Sequence, residues 1–328
     1  MSVSECNKNC LKSALAPYIT GLLTEKRTHG YKYEFEEYIL SKLDEYWILH
    51  GYTDANITRE RLDDWVNKRD SEGDGYHSQR ISFVRQLSLY MNSIGVLSYI
   101  PGAVPSGPQA IVHILSSEEI ISFFSILDSM PAHRNQKEFI TMNYEYQILF
   151  RFVYSCGLRV SEACALRASS IDYSNSIVTI YGAKNDKDRL VYLPDDLLSE
   201  FKDYNAYIRR SFGYEPIWFF PSMNPQKHIH KTTVASKFNS VWSKTPYADS
   251  CDRKPTTHCL RHTMIIRRMN IWMDQGVDLN VMLPYLSKFL GHSSPSETFY
   301  YYHTVQEAFR IIRKKDKKAE TVISEVLL

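Results

Sequence analysis

Cys156-Gly157-Leu158-Arg159-Val160-Ser161-Glu162-Ala163-Cys164-Ala165-Leu166-Arg167 stands just after the apolar run Phe139 to Tyr154 and just before two β-branched stretches. That placing decides the fold class. The run from 139 to 154 is long and apolar enough for a buried helix, and Gly157 supplies its stop. Ser161-Glu162 opens a second helix through Leu166. After Ile171, Ile177-Val178-Thr179-Ile180-Tyr181 and Arg189-Leu190-Val191-Tyr192-Leu193 read as strands joined by the polar turn Gly182 to Asp188. From Asp195 the pattern returns to helices, interrupted around Pro216 to Pro225. Helices around one small antiparallel sheet give an α+β reading that is mainly α.

Upstream, the chain reads as a small all-α unit. Tyr33 to Leu49 mixes apolar and charged residues at near-helical spacing before Gly51. Asn56-Ile57-Thr58 can cap a helix through Leu62 and Trp65. Asp70 to Gly75 is a polar turn, and a further helix carries Ile81, Val84, Leu87, Leu89, Tyr90 and Ile94 up to Gly95. Tyr99 to Pro108 then holds three prolines and two glycines, which break helix and strand alike. Ser116-Ser117-Glu118-Glu119 marks the next helix start. The boundaries expected are a helical domain at 1–100, a linker at 101–115, a second domain at 116–305 and a tail at 306–328.

Composition narrows the function classes. With 44% apolar and 23% charged residues over 328 positions, the chain can bury a real core. No stretch approaches the roughly 20 apolar residues that span a bilayer, and Met1 to Leu23 lacks the apolar centre of a signal peptide. A cytoplasmic protein without a membrane partner is expected. Six scattered cysteines with no C-x-x-C pair read as reduced thiols. The net charge of +2 says little about partners, because basic residues can cluster on one face.

Two further segments join the first in carrying chemistry: His258-Cys259-Leu260-Arg261-His262, and Leu290-Gly291-His292 followed by Thr298-Phe299-Tyr300-Tyr301-Tyr302-His303. Two arginines, several histidines and a tyrosine cluster fit a phosphodiester best. Guanidinium groups grip non-bridging oxygens in pairs and stay charged. They could neutralise charge gathering on a pentacoordinate phosphorus. Histidine moves protons near neutral pH, and a tyrosine hydroxyl attacking phosphorus conserves the bond energy in a covalent intermediate.

These segments, in this order, resemble the signature boxes of the tyrosine recombinase (phage integrase) family. The resemblance implies a SAM-like core-binding domain in the helical N-terminal unit and a catalytic domain at 116–305. It implies Arg159 and Arg261 as the two catalytic arginines, Glu162 as the supporting acid, and His258 and His292 as the histidines at the phosphate. Ala183-Lys184-Asn185-Asp186-Lys187-Asp188-Arg189 resembles the family's lysine-bearing hairpin turn, so Lys184, ahead of Lys187, is implied as general acid toward the 5′-oxygen. The nucleophile is implied at Tyr301, nine residues after His292, with Tyr302 next in line. Neighbours on a helix are rotated by about 100°, so one tyrosine of the three can face the arginines well. The stretch from Met273 to Lys288 lengthens the usual spacing between two boxes, as in recombinases that act as transposases of mobile elements.

The reaction implied is site-specific cleavage and rejoining of double-stranded DNA through a 3′-phosphotyrosine, by a homotetramer on two sites and without a cofactor. Lys187, Arg189, Arg253, Lys254, Arg267 and Arg268 are the expected phosphate contacts outside the chemistry. His258 and His262, four apart, could suggest zinc, but the H-E-x-x-H glutamate is missing and no metal is expected. The tail could pack on a neighbouring protomer or fray. The alternative function is a catalytically inactive architectural DNA-binding protein of the same fold.

Overall fold

A computed structural model describes residues 11–107, 112–181, 188–251, 253–292, 294, 297–299 and 301. The chain divides into two compact units, Met1–Ala110 and Ile111–Leu328. The first is built from α1 (Ala16–Thr28), α2 (Glu34–Leu49), α3 (Arg59–Val66) and α4 (Asp74–Ser93). Thr58 caps α3, its Oγ1 accepting the Arg61 N–H at 3.3 Å, as its place before the apolar periodicity predicts. The apolar faces of the four helices, among them Ile19, Leu23, Leu40, Trp47, Leu62, Val84 and Leu87, close one core. The sequence pattern does not announce α1. Leu15, Ile19, Leu22 and Leu23 have helical spacing, yet Pro17 and Gly21 are poor helix formers. Tertiary packing overrides that weakness: Pro17 sits in the tolerated first turn, and at Gly21 an added Cβ would lie 2.2 Å from Tyr90 Oη.

The second unit runs α5 (Ser117–Ser129), α6 (Lys137–Cys156), α7 (Val160–Cys164), a sheet of β1 (Ile171–Asp172), β2 (Ile177–Ile180) and β3 (Arg189–Tyr192), then α8 (Asp195–Phe212), α9 (Lys231–Trp242), α10 (Thr257–Asp274) and α11 (Leu279–Leu290). The sheet is antiparallel in the order β1-β2-β3, with Ile171 opposite Val178 and Ile180 opposite Arg189. The expected hairpin is there, and Ile171 extends it to three strands. Its turn, 182–187, with Lys184 and Lys187, lies outside the described residues, as do Tyr302 and the tail from 306. Buried α6 forms the centre, packed against α8 and α10. Phe150, Phe152, Phe201 and Phe220 fill that core. A second cluster joins α10 to α11: Ile265, Ile266 and Met269 face Leu279, Leu283, Leu286 and Leu290, and Tyr301 is part of it. Among the described residues no helix is long and apolar enough to cross a membrane.

Gly157 ends α6 in the left-handed region at φ 62°, and an added Cβ there would lie 2.1 Å from Met264 Cε on α10. Gly157→Ala is therefore expected to lower stability by about 1–2 kcal/mol, chiefly from left-handed strain, because the Met264 methyl ends a flexible side chain that can shift. Urea unfolding of the two forms measures it; a loss under about 1 kcal/mol would mean that the strain is not felt.

Candidate active site

The turn after α6 places the first arginine. Leu158 is buried, and Arg159 is the residue from which α7 starts. Glu162, three residues on, folds back so that its carboxylate accepts the Arg159 backbone N–H at 2.9 Å and the Arg159 Nη1–H at 2.8 Å. The same carboxylate takes a two-pronged grip from Arg189 on β3, at 3.0 and 2.7 Å. Burial alone would raise the Glu162 pKa. The guanidinium groups of Arg189 and Arg159 outweigh it and hold the carboxyl down at about 2. A second Arg159 hydrogen bond, at 3.2 Å to the Gly291 carbonyl, ties this turn to the end of α11.

Arg261, on α10, is 1% exposed. Its Nη1 donates to the Gly157 carbonyl at 2.6 Å, and its Nη2 to the Leu290 carbonyl at 2.9 Å and to His292 Nε2 at 2.8 Å. Both carbonyls are exposed by helix endings, since α6 and α11 each stop at a left-handed glycine, Gly157 and Gly291. Because an arginine only donates, His292 Nε2 is the acceptor. Its proton is then on Nδ1, which donates to Thr298 Oγ1 at 2.8 Å. Tyr301 lies over this assembly. Its ring is parallel to that of His292, 6.2 Å away at 5°, and tilted against His262 at 5.0 Å. It is 6% exposed.

Three cations, Arg159, Arg189 and Arg261, surround one carboxylate, so the site carries excess positive charge. Acceptors among the described residues take two of the five N–H groups of Arg159 and three of those of Arg261. N–H groups remain on both for a doubly or singly charged oxyanion. Burial, then the Arg261 cation, holds His292 down at about 4. Burial, then His258, takes His262 to about 3. Desolvation followed by Arg261 and Arg159 shifts His258 the same way, but more than a third of that residue is exposed and water moderates the effect. The imidazoles are neutral at pH 7.

Those depressed values make the fold acid-labile. Below about pH 6.5 the unfolded chain protonates imidazoles that the folded chain keeps neutral, so stability falls with falling pH. His262, 7% exposed, contributes at most about 1 kcal/mol per pH unit between about 6.5 and about 3. His292, less buried, adds to the loss by a smaller amount. Glu162 joins only below about 4.5, where its carboxylate contribution begins to fade toward about 2. Unfolding free energies from urea titrations should be lower at pH 5.0 than at pH 6.5, by about 1 kcal/mol from His262 alone. The Nδ1 atom of His262 has no partner among the described residues, so His262→Phe keeps the ring and removes the proton site. An unchanged pH slope in His262→Phe would exclude that imidazole as the source.

The structure brings together Arg159, Glu162, Arg261, His292 and Tyr301 from the sequence-predicted set. His258 stands at the edge, 4.4 Å from the His262 ring and edge-on to it. Arg253, Lys254 and Arg268 are exposed. Arg267 is also exposed, with Nη1 on Tyr154 Oη and Nη2 3.4 Å from Ser117 Oγ. Arg189, an expected phosphate contact, is engaged within the protein. Its side chain is 7% exposed and is spent on Glu162 and, through Nε at 2.9 Å, on the Phe289 carbonyl. The signal was in the strand alternation: Arg189 shares the face of buried Val191, and a cation on a buried face needs an anion. From the sequence, His262 has no role beyond its place in the motif, and Thr298, fully buried, none beyond the tyrosine segment.

A family model described as the phage integrase family matches residues 124–308. Tyrosine recombinase XerA of Thermococcus onnurineus is 26% identical over 222 residues, which cover 67% of this chain and 68% of the relative. A tyrosine recombinase of Pseudothermotoga lettingae is 33% identical over 180 residues, 54% of this chain and 56% of that one. Among solved structures, the Tn1549 transposon integrase in complex with circular intermediate DNA superposes with a TM-score of 0.64 at 14% identity, over 93% of this chain and 100% of that one. At that identity the likeness speaks to the fold alone. The matched span, 124 to 308 of 328 residues, is more than half of the chain and contains the buried arginine, the histidines and the tyrosine just described, and so the chain belongs to the phage integrase family of tyrosine recombinases.

Proposed function

We propose that this chain cleaves and rejoins double-stranded DNA at specific sites by transesterification through a 3′-phosphotyrosine, with Tyr301 as nucleophile. The observation that carries the reading is the contact set of Tyr301: its ring is held between His292 and His262, and His292 is itself hydrogen-bonded to Arg261. Tyr301 Oη attacks the scissile phosphorus, an O–P bond forms, and the bond to the 5′-oxygen breaks. Arg159 and Arg261 stabilise the charge on the non-bridging oxygens. Glu162 and Arg189 position Arg159. His258 handles the phenolic proton, and Lys184 gives a proton to the leaving 5′-oxygen. Attack by a 5′-hydroxyl on the phosphotyrosine reverses the steps, so rejoining needs no nucleotide cofactor. Names carried by relatives, tyrosine recombinase and transposon integrase, favour integration, excision or transposition of a DNA element. Four protomers acting on two sites would complete an exchange, with the helical unit of 1–100 and the exposed Arg253, Lys254, Arg267 and Arg268 meeting phosphates.

The test uses duplexes from the DNA flanking the gene, nicked near the cleavage point so that the cut fragment diffuses away and the covalent state accumulates. An SDS-resistant protein–DNA adduct, with a nucleotide-modified peptide containing Tyr301, is the expected product. DNA binding without any adduct on those duplexes would leave the architectural function as the better account.

A further inference from the structure

Away from the arginines, three side chains from separate stretches of the second unit converge. His113 precedes α5, Glu119 is in its first turn, and Cys251 stands in the segment leading to α10. His113 Nε2 lies 3.0 and 3.1 Å from the two Glu119 oxygens, and Cys251 Sγ lies 3.8 Å from Glu119 Oε1. The three donor atoms all fall within 4.8 Å of one another, and among the described residues no other group of three such side chains does so.

Hydrogen bonds hold these groups together, Cys251 Sγ also lies 3.4 Å from the Tyr247 carbonyl oxygen, and the cluster is compact enough for its donor atoms to close on one ion. A tetrahedral zinc ion with Zn–N and Zn–O near 2.0–2.1 Å and Zn–S near 2.3 Å separates its donors by about 3.3 Å for N···O and about 3.6 Å for S···O. The observed 3.0 and 3.8 Å lie close to those edges. The surrounding contacts are those that orient ligands. Glu119 Oε2 accepts the Ser116 backbone N–H at 2.7 Å, while Ser116 Oγ accepts the Glu119 N–H at 3.1 Å. The His113 ring stands edge-on to buried Trp242 at 6.2 Å. Glu119 is 8% exposed, whereas the His113 side chain is 25% exposed, which leaves a way in for an ion and a water.

We propose that His113 Nε2, Glu119 Oε1 and Cys251 Sγ are three ligands of a zinc ion, with water as the fourth. Thiolate, imidazole and carboxylate together form a borderline-soft set that suits Zn²⁺ and not the oxygen-seeking Mg²⁺ or Ca²⁺. The ion fastens three stretches beside α10, where Leu115 N–H already donates to Thr263 Oγ1 at 3.0 Å. Because α10 also carries His258, Arg261 and His262, the role is a brace on the helix that presents them. Sequence reading expects no metal here, since the ligands are 6 and 132 residues apart and form no spacing motif.

The full chain, purified without a histidine tag and stripped with chelator, is titrated with Zn²⁺ against a chelating indicator, and with Co²⁺ to read the thiolate-to-metal absorption band. One equivalent is expected to bind, with the thiolate band and a raised melting temperature. Cys251→Ser should remove the band and weaken zinc binding about 100-fold or more, with the far-ultraviolet circular dichroism unchanged. His113→Asn provides the same readout if the serine variant misfolds. The double variant Cys6→Ser/Cys10→Ser should bind as the parent does. Absence of stoichiometric binding, a thiolate band that survives Cys251→Ser, or loss of binding in the Cys6/Cys10 double variant would each overturn the proposal.

Discussion

Tyr301→Phe is expected to abolish the covalent protein–DNA adduct while leaving duplex binding within about twofold. Without the phenolic oxygen no O–P bond can form, so the loss should reach the detection limit and not stop at a slower rate. The ring itself is part of the apolar cluster of α10 and α11, and phenylalanine keeps that packing. The variant should fold normally, which a thermal melt within a few degrees of the parent would show. Parallel Tyr300→Phe and Tyr302→Phe variants carry the register. Tyr301 is the tyrosine whose ring is held between His292 and His262, so it is the one whose loss should remove the adduct. An adduct retained by Tyr301→Phe but lost from Tyr302→Phe would move the nucleophile by one residue and leave the phosphoryl chemistry standing.

Legibility in the sequence followed physical locality. The α2, α3 and α4 helices, the β2–β3 pair and the buried α6 are specified by period, caps and stops within a dozen or so residues. So is the turn Gly157 to Glu162, where the acid three residues after Arg159 closes onto it. What depends on distant partners was less legible. Arg189 is read from local sequence as a surface cation beside a polar turn. Only the fold brings it 27 residues back to Glu162 and 100 residues forward to the Phe289 carbonyl. His262 shows in sequence as a motif residue, but its role against the Tyr301 ring depends on where the chain goes after α11. The helix α1 is a third kind of case, a weakly helical stretch made helical by what it packs against.

Arg261→Lys is expected to lower the rate of adduct formation by about 10²–10³-fold, the size of effect seen when one donor to transition-state charge is removed. The substitution keeps the positive charge, so a loss of this size would speak for the fork and against charge alone. Arg261 reaches the ends of two helices and an imidazole at once: Gly157 O at 2.6 Å, Leu290 O at 2.9 Å and His292 Nε2 at 2.8 Å. An ammonium on a flexible stem cannot span these three acceptors and also keep N–H groups directed at a phosphate. Leaving a buried carbonyl unsatisfied costs about 1–3 kcal/mol, so a drop in stability of that order should accompany the rate effect. The two effects separate by measurement. Single-turnover cleavage at a temperature well below the melting point reports the chemistry, and urea unfolding reports the scaffold. If cleavage falls only in proportion to the fraction unfolded, Arg261 is a structural cross-link between α10, the end of α6 and the end of α11. If cleavage falls a hundredfold in fully folded protein, the guanidinium is directed at the substrate. The second result is the one expected, because the same nitrogen that holds the Leu290 carbonyl also holds the imidazole that stacks on Tyr301.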